Sequence, residues 1–106
     1  MKVVLDQGAP APLRKYLLAH SVSTAFELGW AALKNGEFIQ QAELAGYEAL
    51  ITTDQNLKYQ QNLAGRKISI FVLSTTSWPR IEKVARSIAE ALNGLAPGSY
   101  VEFAVP

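Results

Sequence analysis

The chain contains no cysteine and a single histidine, His20. The first absence excludes disulfides, thiolate metal ligands and thiol nucleophiles, and it agrees with a reducing compartment. The second leaves Ser-His triad chemistry with little to stand on. Neither a P-loop nor a dinucleotide-binding glycine motif occurs. No stretch approaches the ~18 apolar residues of a membrane span. The N-terminus passes from Lys2 through a short apolar run to Asp6, without the core of a signal peptide, so a cytoplasmic protein with no membrane association is expected. A charge excess is also missing. Ten Lys/Arg against nine Asp/Glu leave +1, unlike proteins that grip nucleic acid mainly by charge. The bases are scattered as Arg14-Lys15, Arg66-Lys67, Arg80, Lys83 and Arg86, which permits only local contact with a polyanion.

What remains is a chain of 106 residues, 49% hydrophobic, long enough for one domain with its own core. Two apolar runs end in an acid: Lys2-Val3-Val4-Leu5-Asp6 and Ala49-Leu50-Ile51-Thr52-Thr53-Asp54. Short runs rich in β-branched residues read as buried strands, and each of these delivers a carboxylate to its C-terminal end. Further strands are expected at 22–25, at 48–53 around the second run, at 68–73 and at 100–105. The strand at 68–73 is apolar throughout except for Ser69 and should lie centrally, whereas the alternating segment at 100–105 suits an edge.

Helices fill the intervals. Gly8, Pro10 and Pro12 open one that carries Leu13, Leu17 and Leu18 on its apolar face. Residues 26–34 form a half-structured apolar stretch. Asn35 can cap the next helix, with Glu37 in its first turn and Gly46 as its C′ residue. Residues 55–63 make a short helix or turn. Ser77 caps the last helix, whose stripe of Trp78, Ile81, Ala85, Ile88 and Leu92 packs on the sheet, with Glu82 and Arg86 spaced to pair outside. Strands alternating with helices give a three-layer α/β/α domain over residues 1–106, with a mainly parallel sheet of about five strands.

In such sheets ligands bind beyond the carboxyl ends of the strands. Asp6 and Asp54 therefore converge on one edge, and Glu37, at a helix start, falls near the same edge. Gathered carboxylates repel one another at low effective dielectric. Such a cluster persists by raising its pKa values or by binding a divalent cation. Oxygen-only ligands favour Mg²⁺ or Mn²⁺ over zinc, and a hydrated Mg²⁺ suits phosphodiester hydrolysis. The plainer reading is that each Asp caps its own turn and Glu37 complements a helix dipole.

The series Val3-Val4-Leu5-Asp6-Gln7, Gly29-Trp30, Lys34-Asn35-Gly36-Glu37, Thr52-Thr53-Asp54-Gln55-Asn56-Leu57 and Tyr59-Gln60-Gln61-Asn62-Leu63 resembles the compact PIN-like proteins. These are bacterial relatives of the PIN-domain nucleases, connected with the toxin component of toxin–antitoxin pairs. The resemblance extends into the Trp78-Pro79 helix and the Pro97-Gly98-Ser99-Tyr100 tail. It implies a ribonuclease dependent on Mg²⁺ or Mn²⁺, with Asp6, Glu37 and Asp54 as catalytic and metal-binding acids. It also implies an RNA substrate and a cognate antitoxin partner. Two positions depart from the pattern. Gln7 stands where many relatives carry a glutamate, and Asn56 where PIN nucleases commonly place another acid. Each keeps an oxygen ligand and removes a negative charge, which marks a weakly catalytic or silent RNA- or protein-binding subgroup as the alternative. Asn56 remains a candidate metal ligand on this reading.

The amide-rich segment Gln55, Asn56, Gln60, Gln61 and Asn62 offers groups for ribose or base edges, and Lys58 one for phosphate. With Gln7 and Asn35, Gln55 and Lys58 complete the expected substrate contacts. Trp30 and Trp78 are expected in the core or at a dimer contact rather than as stacking surfaces, and a homodimer is compatible with the edge strand and the apolar 26–34 stretch. A competing class is the phospho-acceptor receiver domain. It would use Asp6, Asp54 and Ser74-Thr75, but it needs an acid pair after the first strand and a lysine ending the fifth, and the chain has neither.

Overall fold

A computed structural model describes residues 1–60 and 63–106. Five strands, β1 (Lys2–Leu5), β2 (Ser21–Thr24), β3 (Ala49–Thr52), β4 (Ser69–Leu73) and β5 (Tyr100–Phe103), form one sheet in the order β2-β1-β3-β4-β5. All four pairings are parallel. The register lines up Leu5, Ile51, Phe71 and Val101 in one row, and Val4, Leu50, Ile70 and Tyr100 in the row beside it. Successive side chains on a strand point to opposite faces, so these rows cover opposite sides of the sheet.

Both sides are buried. Leu5, Ile51 and Phe71 pack under Leu13, Leu17, Ile81, Ile88 and Leu92 on one face. On the other, Val4, Leu50 and Ile70 pack under Phe38, Ile39, Ala42 and Leu57. This is a three-layer α/β/α domain with a five-stranded sheet. It explains why the inner strands read as unbroken apolar runs, because alternation is lost when both faces are covered. The middle position belongs to β3 rather than to β4, which lies between β3 and the edge strand β5. Both are equally buried, so burial alone does not rank them.

Four helices, α1 (Asn35–Leu44), α2 (Leu57–Gln60), α3 (Trp78–Lys83) and α4 (Ala85–Asn93), supply the outer layers together with a 3-10 segment, Ala11–Tyr16. No helix among the described residues is long and apolar enough to cross a membrane. α1 ends as its sequence predicts. Gly46 sits at φ +83, its N–H donates to the Glu43 carbonyl, and the Tyr47 N–H reaches back to Ala42, which is a Schellman motif.

The other helix boundaries depart from expectation. The segment after Pro10 is 3-10 and ends at Tyr16, leaving Leu18 86% exposed while Leu13 and Leu17 are buried. The C-terminal stripe is split at Val84 (φ −117, ψ 16) into α3 and α4. The apolar rhythm survives the break, since Ile81, Ala85, Ile88 and Leu92 all remain buried, but the outer spacing does not. Glu82 accepts from the Tyr16 hydroxyl at 3.1 Å instead of pairing with Arg86. Ser77 stands at the N-cap of α3 without a side-chain cap bond. Its N–H donates to Thr75 Oγ1 instead.

Candidate functional site

Parallel pairing sends the C-terminal ends of β1 and β3 to the same edge. β1 leads to β2 on one side and pairs with β3 on the other, so the crevice between β1 and β3 is the topological switch point where doubly wound sheets bind ligands. Asp6 and Asp54 flank that crevice. The Asp6 N–H donates to the Ile51 carbonyl at 3.0 Å, which extends the ladder by one residue and sets Asp6 opposite Thr52.

Thr52 joins the two acids. Its hydroxyl donates to Asp6 Oδ2, and Thr52 Oγ1 accepts the Asp54 N–H at 3.1 Å. Asp6 Oδ1 accepts the N–H groups of Gly8 and Ala9, each at 3.0 Å. A Cβ on Gly8 would meet Thr53 Oγ1, so any larger residue here requires the Thr53 side chain to shift. Asp54 Oδ1 accepts the Asn56 N–H at 3.0 Å, and Oδ2 accepts Asn35 Nδ2 at 2.7 Å. Both acids thus fix their turns, and both are bonded to Thr52. Burial raises the pKa of Asp6 above the ordinary carboxyl value, and the charge of Asp54 adds to the rise. Hydrogen bonds from Thr52, Gly8 and Ala9 oppose it.

Glu37 stands apart from this pair. It is exposed in the first turn of α1, and among the described residues no three His, Cys, Asp or Glu side chains are grouped so as to hold a metal ion. The reason is helical phase. Asn35, the first residue of α1, already faces Asp54, and residues two apart on a helix do not share a face. Asn35 itself is a contact of Asp54 rather than the cap of α1, whose N-cap position is Lys34.

The other expected site residues are divided. Asn56 contributes its backbone N–H to Asp54. Gln7, expected at the substrate, places Nε2 against the carbonyls of Trp30, Ala31 and Leu33 at 3.3, 2.8 and 3.3 Å. It therefore fastens the loop that leads to Asn35. Gln55 Nε2 donates to the Ser74 carbonyl at 3.0 Å, bridging the ends of β3 and β4. Lys58 Nζ pairs with Glu102 Oε1 at 3.0 Å, and that bond raises its pKa. Gln60 closes α2, while Gln61 and Asn62 lie outside the described residues. Trp30 packs edge-on against Phe38 and Tyr47, and Trp78 lies 6.0 Å from Tyr16, so both serve packing. His20 is held between the Met1 amino group and Asn93 Oδ1.

Sequence reasoning missed Thr52. The available signal was its place two residues after Leu50 on the same face, with Val4 paired to Leu50 and hence Asp6 to the position beyond.

The oxygen set fits a hydrated divalent cation. An ionised carboxylate offers about four acceptor positions. Asp6 receives three hydrogen bonds and Asp54 two, so each keeps lone pairs for a ligand. Mg²⁺ commonly takes one or two carboxylates and retains waters. No protein-family model matches the chain, and no curated protein or solved structure is significantly similar to it.

Proposed function

We propose that this protein is a PIN-like ribonuclease in which Asp6 and Asp54 hold a hydrated Mg²⁺ or Mn²⁺ ion. The observation that carries the reading is the pairing of two carboxylates from neighbouring strands at the switch point, joined through Thr52, with Asp6 destabilised in its charged form. Bound there, a divalent ion would supply a more acidic water and offset charge on the phosphate under attack. The chain's own residues do the positioning. Thr52 and the Gly8 and Ala9 amides fix the Asp6 carboxylate, Asn35 and the Asn56 amide fix that of Asp54, and Gln7 holds the loop that presents Asn35. Glu37 belongs to this proposal only as a more distant acid. The antitoxin partner that the resemblance implies belongs to it as well, as does the homodimer with which the edge strand and the apolar 26–34 stretch are compatible.

Cleavage of single-stranded RNA in the presence of Mn²⁺ tests the reading. Activity that vanishes with chelator and falls by about 10²-fold or more in Asp6→Asn and Asp54→Asn is expected, as for loss of a group acting on developing charge. Undiminished cleavage in both variants removes it. A second reading, a catalytically silent PIN-like module binding RNA or protein, is favoured by one observation, the lack of a third metal-ligating acid beside the pair among the described residues. It predicts RNA binding with no Mn²⁺-dependent product.

A further inference from the structure

Past Gln55 the same edge of the sheet opens into a cavity at the C-terminal ends of β4 and β5. It measures about 220 Å³ and is lined by Gln55, Val72, Ser74, Glu102, Phe103 and Ala104. Sites for drug-sized ligands run to ~300–1,000 Å³, so this cavity suits a single ring system. Gln55 follows Asp54 directly in the chain, which sets the cavity one residue from the carboxylate pair.

Its polar groups are unequally engaged. The Ser74 carbonyl accepts Gln55 Nε2 at 3.0 Å, and Ser74 Oγ accepts the Val105 N–H at 2.8 Å. Only an amide nitrogen can donate to a carbonyl, so the Gln55 atom left for a ligand's donors is Oε1. Glu102 is held through Oε1 by Lys58 at 3.0 Å, which leaves Oε2 as its open acceptor. Among the described residues that line the cavity, Glu102 is also the one with an ionisable side chain. A carboxylate is acceptor-only and selects a ring edge that presents N–H donors. Among RNA bases, guanine offers N1–H and the N2 amino group side by side. Uracil offers one N–H between two carbonyls, which a carboxylate repels.

Two neighbours suit a nucleotide. Lys58 offsets the charge of Glu102, so a phosphate is not driven away. Tyr59, on α2, is 78% exposed and its ring lies 5.2 Å from Lys58 Nζ. An exposed ring of this kind is a platform for base stacking.

We infer that this cavity is a base subsite selecting guanine over uracil in the nucleotide beside the Asp6–Asp54 pair. The inference deepens the ribonuclease reading and rests on it for the identity of the ligand. Binding to metal-free protein tests it without catalysis. GMP and UMP are titrated in the presence of chelator by calorimetry and by amide NMR. GMP should bind about tenfold or more tightly than UMP, in keeping with one bidentate base contact. Its shifts should centre on the Gln55 side-chain amide and the Ser74 and Val105 amides. Glu102→Gln should bring the two affinities within about twofold. Ala104→Leu, which fills the cavity rim without touching a polar group, should weaken GMP by about tenfold. Equal affinities in the wild type, a preference that persists in Glu102→Gln, or shifts confined to Asp6 and Asp54 overturn the inference. A guanine preference without Mn²⁺-dependent cleavage removes the ribonuclease reading alone. Cleavage with no base preference removes the subsite alone.

Discussion

Asp6 is a carboxyl whose folded environment favours the proton. For an acid with a folded pKa above the unfolded value, the native state binds more protons between the two values, and stability falls as pH rises through that window. Relative to an unfolded value near 3.8, the molecule is expected to lose stability on the alkaline side of that point and then level off. Glu27 acts in the opposite direction. The Arg14 guanidinium and the Thr24 N–H hold it down at about 2, so its contribution is present above the ordinary carboxyl range and is lost as pH falls towards 2. Comparison with Asp6→Asn isolates the first effect. The difference in stability between the variant and the wild type, followed by urea unfolding from pH 4 to pH 8, should grow in the variant's favour and then plateau. Mn²⁺ should narrow the gap at pH 7 by stabilising the ionised wild-type pair. A flat difference across the range would show that Asp6 titrates as it does in the unfolded chain.

At the level of elements, the strand ends were legible in the sequence and the helix phases were not. An apolar run stopped by Asp6 or Asp54 is a local pattern, and the parallel sheet converts it directly into a shared edge. Whether Glu37 reaches that edge depends on a rotation of about 100° per residue along α1, and on Asn35 having taken the inward direction first. The loop contact of Gln7 is illegible for a related reason, because its partners are carbonyls more than twenty residues away, a contact no local pattern announces. The same contact needs a donor, which an amide nitrogen supplies and a carboxylate does not. Gln7→Glu should therefore detach the 26–34 loop, lower stability by about 1 kcal/mol, and speed hydrogen exchange of the Trp30 and Leu33 amides. Leu18 and Ile88 separate burial from sequence pattern in the outer layer. Both fit an apolar stripe, yet Leu18 is 86% exposed and Ile88 fully buried. Ile88→Ala should cost about 2–5 kcal/mol and Leu18→Ala less than about 0.5 kcal/mol, read from denaturant midpoints.

For the molecule as a whole, the strand order is informative because it is shared. The β2-β1-β3-β4-β5 order is that of flavodoxin-like sheets, receiver domains included, so the architecture alone does not separate a metal site from a phospho-acceptor aspartate. The end of β5 does. Ala104, Val105 and Pro106 follow it, and Lys58, which reaches β5, is committed to Glu102. The lysine that a receiver carries at the end of its fifth strand is therefore not found among the described residues. Incubation with acetyl phosphate and Mg²⁺ should leave the intact mass unchanged. A stable adduct mapping to Asp54 would assign the chain to signalling instead.

The register of β1 also sets an order of events. β1 pairs with Ser21–Thr24 on one side, but on the other its partner is the segment beginning at Ala49. Half of its pairing must wait until the segment from Ala49 has been made. Contacts this far apart in sequence are slow to form. The bond between Thr52 and Asp6 spans that same gap, so the carboxylate pair is assembled when the sheet closes and not before. A nascent chain shorter than this span carries Asp6 without its partner, and any activity that requires both acids is silent until the seam between the first and third strands is sealed.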